Sequence, residues 1–370
     1  MTIPFLNLAP MHFAIKAKML EAFEEVYDEC YFILGKKLDA FETCYAKLSK
    51  INFAVGVSNG LDALHLSLKA LEIGPGDEVI VPSHTFIATA LAVSSVGAKP
   101  VFVEPDIRTY NINPELIEAS ISPRTKAILP VHLYGQACDM ESIMDVANRY
   151  KLYVVEDNAQ AHLASFKGKP TGSWGHINGT SFYPGKNLGA LGDGGAVTTH
   201  SEQWANKIKA LRNYGSKEKY KNETIGYNMR LDEMQAAFLI VKLKYLSDWT
   251  LERQRIAKVY NEELAGFEGI ILPYLHPEAT HSYHLYVIRS KQRDAIQEHL
   301  ASRGVATLIH YPIPPHLQKA YATLGYKTGD FPIAEELAKT SLSLPIWPGM
   351  SKEEIHEVIK AVRSFYIHHV

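Results

Sequence analysis

The chain of 370 residues has only three cysteines, Cys30, Cys44 and Cys138. The number is odd and no two stand in C-x-x-C spacing, which speaks against both a disulfide framework and a zinc site. No histidine spacing compels a metal either, so none is expected, and a reducing, cytoplasmic setting fits best. Neither sign of charge dominates: 38 Lys and Arg face 40 Asp and Glu, a net charge of -2. That balance supplies no broad pull toward nucleic acid or an anionic membrane, so any anionic ligand must be held by local geometry. Long hydrophobic runs are missing too. No segment approaches the length that spans a bilayer. The opening MTIPFLNLAPMHFAIKAKML has no basic region followed by an unbroken apolar run and a small-residue cleavage site. A soluble protein with no nucleic-acid or membrane partner is the expectation.

Two nucleotide-binding signatures are absent around the glycine-dense stretch SFYPGKNLGALGDGGAV, Ser181 to Val197. A P-loop would need glycine at 180 and Ser or Thr at 187, where Thr180 and Asn187 stand. A dinucleotide fingerprint built on Gly192 and Gly194 would need a third glycine where Val197 stands. Tight turns ahead of the strand GAVTTH remain as the plain account of these glycines.

The chain is long enough for one large core and a smaller one. From about residue 53, apolar runs (FAVGV, EVIVP, KPVFVEP, KAILPVHLY, LYVVED) alternate with segments of helical period (LDALHLSLKALEI, TFIATALAVSSVG, NPELIEASI, MESIMDVANRYK). This rhythm predicts an α/β fold with a mostly parallel sheet covered by helices on both faces. A long helix-compatible region runs from about Asp232 through Leu264, and proline and glycine then become frequent. That change places a smaller α+β domain at the C-terminus, with YHLYVIR as a strand and SKEEIHEVIKAVRSFY as the last helix. The division expected is 1–250 for the N-terminal segment and large domain, and 251–370 for the small one.

Lys186 follows an apolar-aromatic run, a setting suited to an amine held in a partly dry pocket and used to form a Schiff base. Such a lysine needs an aromatic cofactor whose ring nitrogen and phosphate find separate partners. LYVVEDNAQAH delivers Asp157 at the C-terminal end of a buried strand, where open α/β sheets present ligands. Standing alone, it reads better as a strand-end turn or cap carboxylate. AVGVSNGLDALHL has the form of a strand-to-helix junction with free amides near Gly60 and Leu61, and an ordinary helix start is an equal account of it. Ser181 is a second candidate for the phosphate. Phe86 follows the strand ending at Pro82, where an aromatic is more often plain core, and only its conjunction with the other motifs raises it to a ring stack.

Taken together, NGLDALHLSLKALEIGPGDEVIVPSHTFIATA, VPVHLYGQACDM, VVEDNAQAH, SFYPGKNLGALGDGGAV, RNYG, GYNMRLDEMQAA and HYPIPPHLQ resemble the DegT/DnrJ/EryC1/StrS sugar aminotransferases, within the aspartate aminotransferase-like fold type I enzymes that use pyridoxal 5'-phosphate. The resemblance implies that Lys186 carries the cofactor as a Schiff base and is the catalytic residue. It places Asp157 at the pyridine nitrogen, Gln160 near the phenolic oxygen, and Phe86 on the ring. Gly60, Leu61 and Ser181 would hold the phosphate, and Asn228 would reach the phosphate of a neighbouring subunit, making a homodimer part of the site. Some relatives carry histidine in place of the lysine and dehydrate; lysine implies transamination, from glutamate to a nucleotide-linked keto sugar. Within the family the motifs most resemble the 3-aminotransferases of dTDP-3-keto-6-deoxyhexoses, with a 4-aminotransferase or a regulatory binding protein as the rival readings. Lys219, Tyr220 and Arg230 are the motif-linked candidates for the pyrophosphate, while Tyr183, His310 and Tyr311 are those for the sugar. Tyr183 is expected on the same strand face as Ser181, two residues on.

Overall fold

Seven strands build the central sheet: β1 (Phe53–Val57), β2 (Glu78–Pro82), β3 (Lys99–Val103), β4 (Thr125–Ile128), β5 (Tyr153–Asp157), β6 (Ile177–Ser181) and β7 (Gly195–Thr199). Their spatial order is β1-β7-β6-β5-β4-β2-β3. The computed structural model describes residues 2–218 and 220–369, with side chains to 366. β3, β2, β4, β5 and β6 run parallel, and β7 lies antiparallel to both β6 and β1. Every residue of β2, β6 and β7 is buried, because helices cover both faces, as a parallel sheet requires. The helix Gly60–Ala70 lies tightly on β6: a Cβ on Gly179 would stand 2.8 Å from Leu64 Cδ2. The α/β architecture expected from the sequence is the one observed.

Three local expectations are corrected. The run KAILPVHLY forms a continuous strand only over Thr125–Ile128 and then a single bridge from Val131 to Asp157, since Pro130 has no N–H to give the ladder and the chain turns away at Leu133–Gly135. NPELIEASI forms two 3-10 turns, Pro114–Leu116 and Glu118–Ser120, instead of a helix. Between Pro114 and Pro123 there is too little chain to repay the nucleation of a longer helix. The region from Asp232 to Leu264 is two helices, Glu233–Leu243 and Leu246–Leu264, with the last turn of the first tightened by bonds from Lys244 N to Val241 O and from Tyr245 N to Lys242 O.

A second core gathers around β8 (Tyr286–Arg289) and β9 (Ser341–Leu344), an antiparallel pair, with helices Leu246–Leu264, Arg293–Ser302 and Lys352–His369 packed on it. Its buried members include Tyr260, Tyr286, Leu300 and Trp347, and they also include Ile3 from the far N-terminus. The boundary expected at 250/251 falls inside the helix Leu246–Leu264, of which Ile256, Ala257, Tyr260 and Leu264 join this core. Among the described residues no helix is long and apolar enough to cross a membrane.

Candidate active site

The parallel strands end in a cavity of about 640 Å³, at the C-terminal edge where such sheets bind ligands. Asp157 is the last residue of β5 and points into it, whereas Glu156, one residue earlier, points the other way. Glu156 is spent on structure: its carboxylate accepts from the N–H groups of Gly172, Trp174 and Gly175 and bonds His132 Nε2 at 2.7 Å. Asp157 keeps one face toward the cavity, accepting from Thr89 Oγ1 at 2.9 Å and from Ala159 N at 3.1 Å. Burial pushes its carboxyl above the usual range, and the Ala159 N–H, the Thr89 hydroxyl, Lys186 and His132 oppose that rise.

Lys186 stands on the turn after β6. Its N–H donates to Tyr183 O at 2.8 Å, and Phe182 exchanges bonds of 2.7 Å with Gly194 and Ala190 across the loop. Gly189 makes this tightness possible, since a Cβ there would lie 2.4 Å from Pro184 O. The loop is also gripped from outside. Asn187 Nδ2 donates to Ser282 O at 2.9 Å, Lys242 Nζ to Gly189 O at 2.6 Å, and Leu191 N to Gln235 Oε1 at 2.8 Å. Desolvation lowers the Lys186 amine to about 8, with the Asp157 carboxylate pulling the other way. An amine so lowered is a far better nucleophile at neutral pH than a surface lysine.

Asn59 caps the helix Gly60–Ala70 by accepting from Asp62 N at 2.9 Å, which leaves the N–H groups of Gly60 and Leu61 as the open donors of the first turn. Ser181 closes on the same point. A Cβ on Gly60 would stand 2.6 Å from Ser181 Cβ and 3.1 Å from its Oγ, so only glycine lets hydroxyl and helix start share one small cradle. Such a cradle suits a phosphate. Gly60→Ala is expected to weaken pyridoxal phosphate binding about tenfold, ~1.4 kcal/mol, measured by fluorescence titration of the apoenzyme.

The cofactor candidates named from sequence are thus brought together, with one exception. Gly60, Leu61, Phe86, Asp157, Gln160, Ser181 and Lys186 all line the cavity. Gln160 is held by Tyr134 N–H on its Oε1 at 2.6 Å and gives its Nε2 to Tyr311 Oη at 3.0 Å. Phe86 is half-exposed, with its ring centroid 5.4 Å from that of Tyr311. The exception is Asn228, which is exposed, bridges Asn213 through the backbone, and does not line its own chain's cavity.

Of the substrate candidates, Tyr183, His310 and Tyr311 line the cavity. Tyr183 does so by another route than expected: β6 ends at Ser181, so Tyr183 belongs to the turn, its N–H donating to Ser181 Oγ at 3.2 Å. His310 Nδ1 meets Ser343 Oγ at 2.8 Å, and burial lowers its imidazole to about 4. Tyr220 and Arg230 are not brought to the cavity. Tyr220 is 87 % exposed at the turn of a small hairpin, Ser216–Glu218 with Lys221–Asn222. Arg230 is drawn onto its neighbours, donating to Asn213 Oδ1 at 2.7 Å and lying 5.2 Å over the Tyr214 ring. Lys219 lies outside the described residues.

Sequence reasoning missed Thr89, His284, Phe5 and Leu6. Thr85 and Thr89, one helical turn apart in HTFIATA, carry a readable sign, since both hydroxyls point to one side of the helix start. His284 lines the cavity as a neutral imidazole, held well below its ordinary value by burial, with Lys186 adding to the effect. Only tertiary folding brings it, Phe5 and Leu6 to this place.

The sequence profile of the DegT/DnrJ/EryC1/StrS aminotransferase family matches residues 14–363. An Aneurinibacillus thermoaerophilus protein named dTDP-3-amino-3,6-dideoxy-alpha-D-galactopyranose transaminase is 50% identical, over 98% of this chain and 99% of its own. The Saccharopolyspora erythraea protein named erythromycin biosynthesis sensory transduction protein EryC1 is 49% identical, over 98% of this chain and all of its own. The crystal structure of Streptomyces venezuelae DesV in complex with a ketimine intermediate superposes with a TM-score of 0.97 at 46% identity, covering 99% of this chain and 98% of that one. With a matching profile along most of its length and a cavity that unites a lysine, a strand-end carboxylate and a phosphate-sized cradle, the chain belongs to the DegT/DnrJ/EryC1/StrS aminotransferase family, whose cofactor is pyridoxal 5'-phosphate.

Proposed function

We propose that the protein transfers an amino group, from glutamate, to C3 of a dTDP-3-keto-6-deoxyhexose, giving a dTDP-3-amino-3,6-dideoxyhexose. The observation that carries the reading is one cavity in which Lys186, Asp157 and the Gly60–Ser181 cradle converge, joined to 50% identity with a relative named for a 3-amino-3,6-dideoxy product. The bound cofactor supplies a protonated ring that takes up the electron pair left when a proton departs. Asp157 would keep the ring nitrogen protonated, Gly60, Leu61 and Ser181 would hold the phosphate, and Phe86 and Gln160 would bound the ring and its phenolic oxygen. Lys186, once displaced by the donor's amine, removes and returns the proton at the reacting carbon. Two half-reactions through one lysine imply ping-pong kinetics.

Among the described residues no arginine lines the cavity, yet the donor carboxylates and the sugar's pyrophosphate are anionic. Asn228, Arg230 and Tyr220 belong to a segment outside their own chain's cavity, a placement that suits a homodimer whose partner completes each site. The 4-aminotransferase remains the enzyme rival, and the name of the Saccharopolyspora relative keeps the regulatory rival in view. Offering separate 3-keto and 4-keto dTDP-sugars with glutamate, and locating the new C–N bond by NMR, decides the matter: nitrogen at C3 is expected. Amination only at C4 overturns the substrate, and no amination of either sugar favours the regulatory rival.

A further inference from the structure

The N-terminal segment is held at both ends by the smaller core. Ile3 is fully buried there, donating its N–H to Gly304 O at 2.8 Å and accepting from Ala306 N at 2.9 Å. At the other end Pro10 presses on Gly349, where a Cβ would stand 2.5 Å from Pro10 Cβ; Gly349 has φ +85, a conformation that itself favours glycine. Asn7 Oδ1 accepts from Ala9 N at 3.0 Å and turns the chain between these anchors. What lies between them cannot swing away, and it includes Phe5 and Leu6, both of which line the cofactor cavity.

The two side chains meet different parts of the cavity's lining. The Phe5 ring centroid lies 5.6 Å from that of His310. Leu6 Cδ2 lies 3.5 Å from where a Cβ on Gly185, the residue before Lys186, would be. Both residues line the cavity and are only part-buried, so part of their apolar surface is left for a bound molecule to meet. A hexose is polar all round its ring, and its hydroxyls would be dehydrated against such a wall without compensation. A 6-deoxyhexose has one carbon that suits it, the C6 methyl.

We propose that Phe5 and Leu6 form the face that receives the C6 methyl group of the sugar, and thereby select 6-deoxyhexoses over their 6-hydroxy counterparts. This rests on the substrate reading above and deepens it: that reading names the sugar, and the N-terminal segment accounts for why the oxygen at C6 must be missing. An apolar wall discriminates modestly, since the penalty is the dehydration of one hydroxyl, and a preference of about tenfold to a hundredfold in kcat/KM is the scale expected.

The stable amino sugars permit the test in the reverse half-reaction, followed by the loss of the lysine-linked cofactor absorbance. dTDP-3-amino-3,6-dideoxygalactose and its 6-hydroxy counterpart are compared on the wild type, Phe5→Ala and Leu6→Ala, with the glutamate half-reaction measured alongside. The wild type is expected to prefer the deoxy sugar, and each variant to lower that preference at least about threefold, chiefly through KM for the deoxy sugar. Phe5→Tyr, which adds a hydroxyl to the same face, is expected to move the preference toward the 6-hydroxy sugar. Conversion of both sugars with the wild-type preference kept in all variants overturns the inference alone. A loss of equal size in the glutamate half-reaction also overturns it, since that marks a general structural role. If the wild type responds to glutamate but converts neither sugar, the substrate reading fails and takes this inference with it.

Discussion

Lys186→Ala is expected to lower turnover by at least about 10⁴-fold, the largest effect of any single change in the chain. In the proposed reaction the residue is used twice, as the group that tethers the cofactor and as the base that moves the proton, and among the described residues no other amine lines the cavity to replace it. The variant protein should bind pyridoxal phosphate without turning yellow, because the lysine-linked chromophore cannot form. The wild-type apoenzyme offers a finer check. Only the unprotonated amine reacts with the cofactor aldehyde, and burial sets this amine to about 8 against an ordinary 10.5. At neutral pH that raises the reactive fraction by about 300-fold. Reconstitution should therefore quicken as pH rises from 7 toward 8 and level above it, followed as the growth of visible absorbance. A rate still climbing tenfold per pH unit above 9 would mean an unperturbed lysine and would undercut the dry pocket around it.

Much of the fold and of the site is legible in the amino-acid sequence, and the parts that are not share a cause. Runs such as EVIVP and LYVVED announce buried strands because both faces of a parallel sheet are covered, so strand and position can be read from composition alone. Asp157 can be read as well, since a carboxylate ending such a strand is forced to the sheet's edge. Its neighbour Glu156 illustrates the limit: only the strand's two-residue alternation, in the observed register, assigns one carboxylate to the cavity and the other to three backbone N–H groups and His132. For Tyr183 the sequence points to the right place for the wrong reason, because a strand end is a matter of where the ladder stops and β6 stops at Ser181. Phe5, Leu6 and His284 leave no sign at all. The segments that Phe5 and Leu6 meet, at His310 and in the lysine loop, lie well over a hundred residues away, and local spacing carries no information about stretches of chain that come together only in the folded state.

Asp157→Asn is the second large effect, an expected loss of about 10³-fold in turnover with the cofactor still bound. The isosteric amide keeps the volume at the end of β5 and can still accept from Ala159 N through its oxygen, so the fold has little to repair. What it lacks is the negative charge that, in the proposed role of Asp157, would hold a proton on the ring nitrogen; without that proton the ring would be a poor electron sink. Stability should move in the opposite direction. The carboxyl is shifted upward by burial, so in the folded apoenzyme the charged form is disfavoured relative to the unfolded chain. A group shifted this way costs stability at every pH above its folded value. Removing the charge removes that cost, and the apo variant should melt at or above the wild-type temperature at pH 7 while its activity collapses. The lysine responds as well. Asp157 is the group that opposes desolvation at Lys186, so its neutralisation drops the amine below about 8, and the pH profile of cofactor reconstitution should shift to lower pH than in the wild type. An unchanged profile would mean that the two side chains do not feel one another across the cavity, whatever the turnover measurements show.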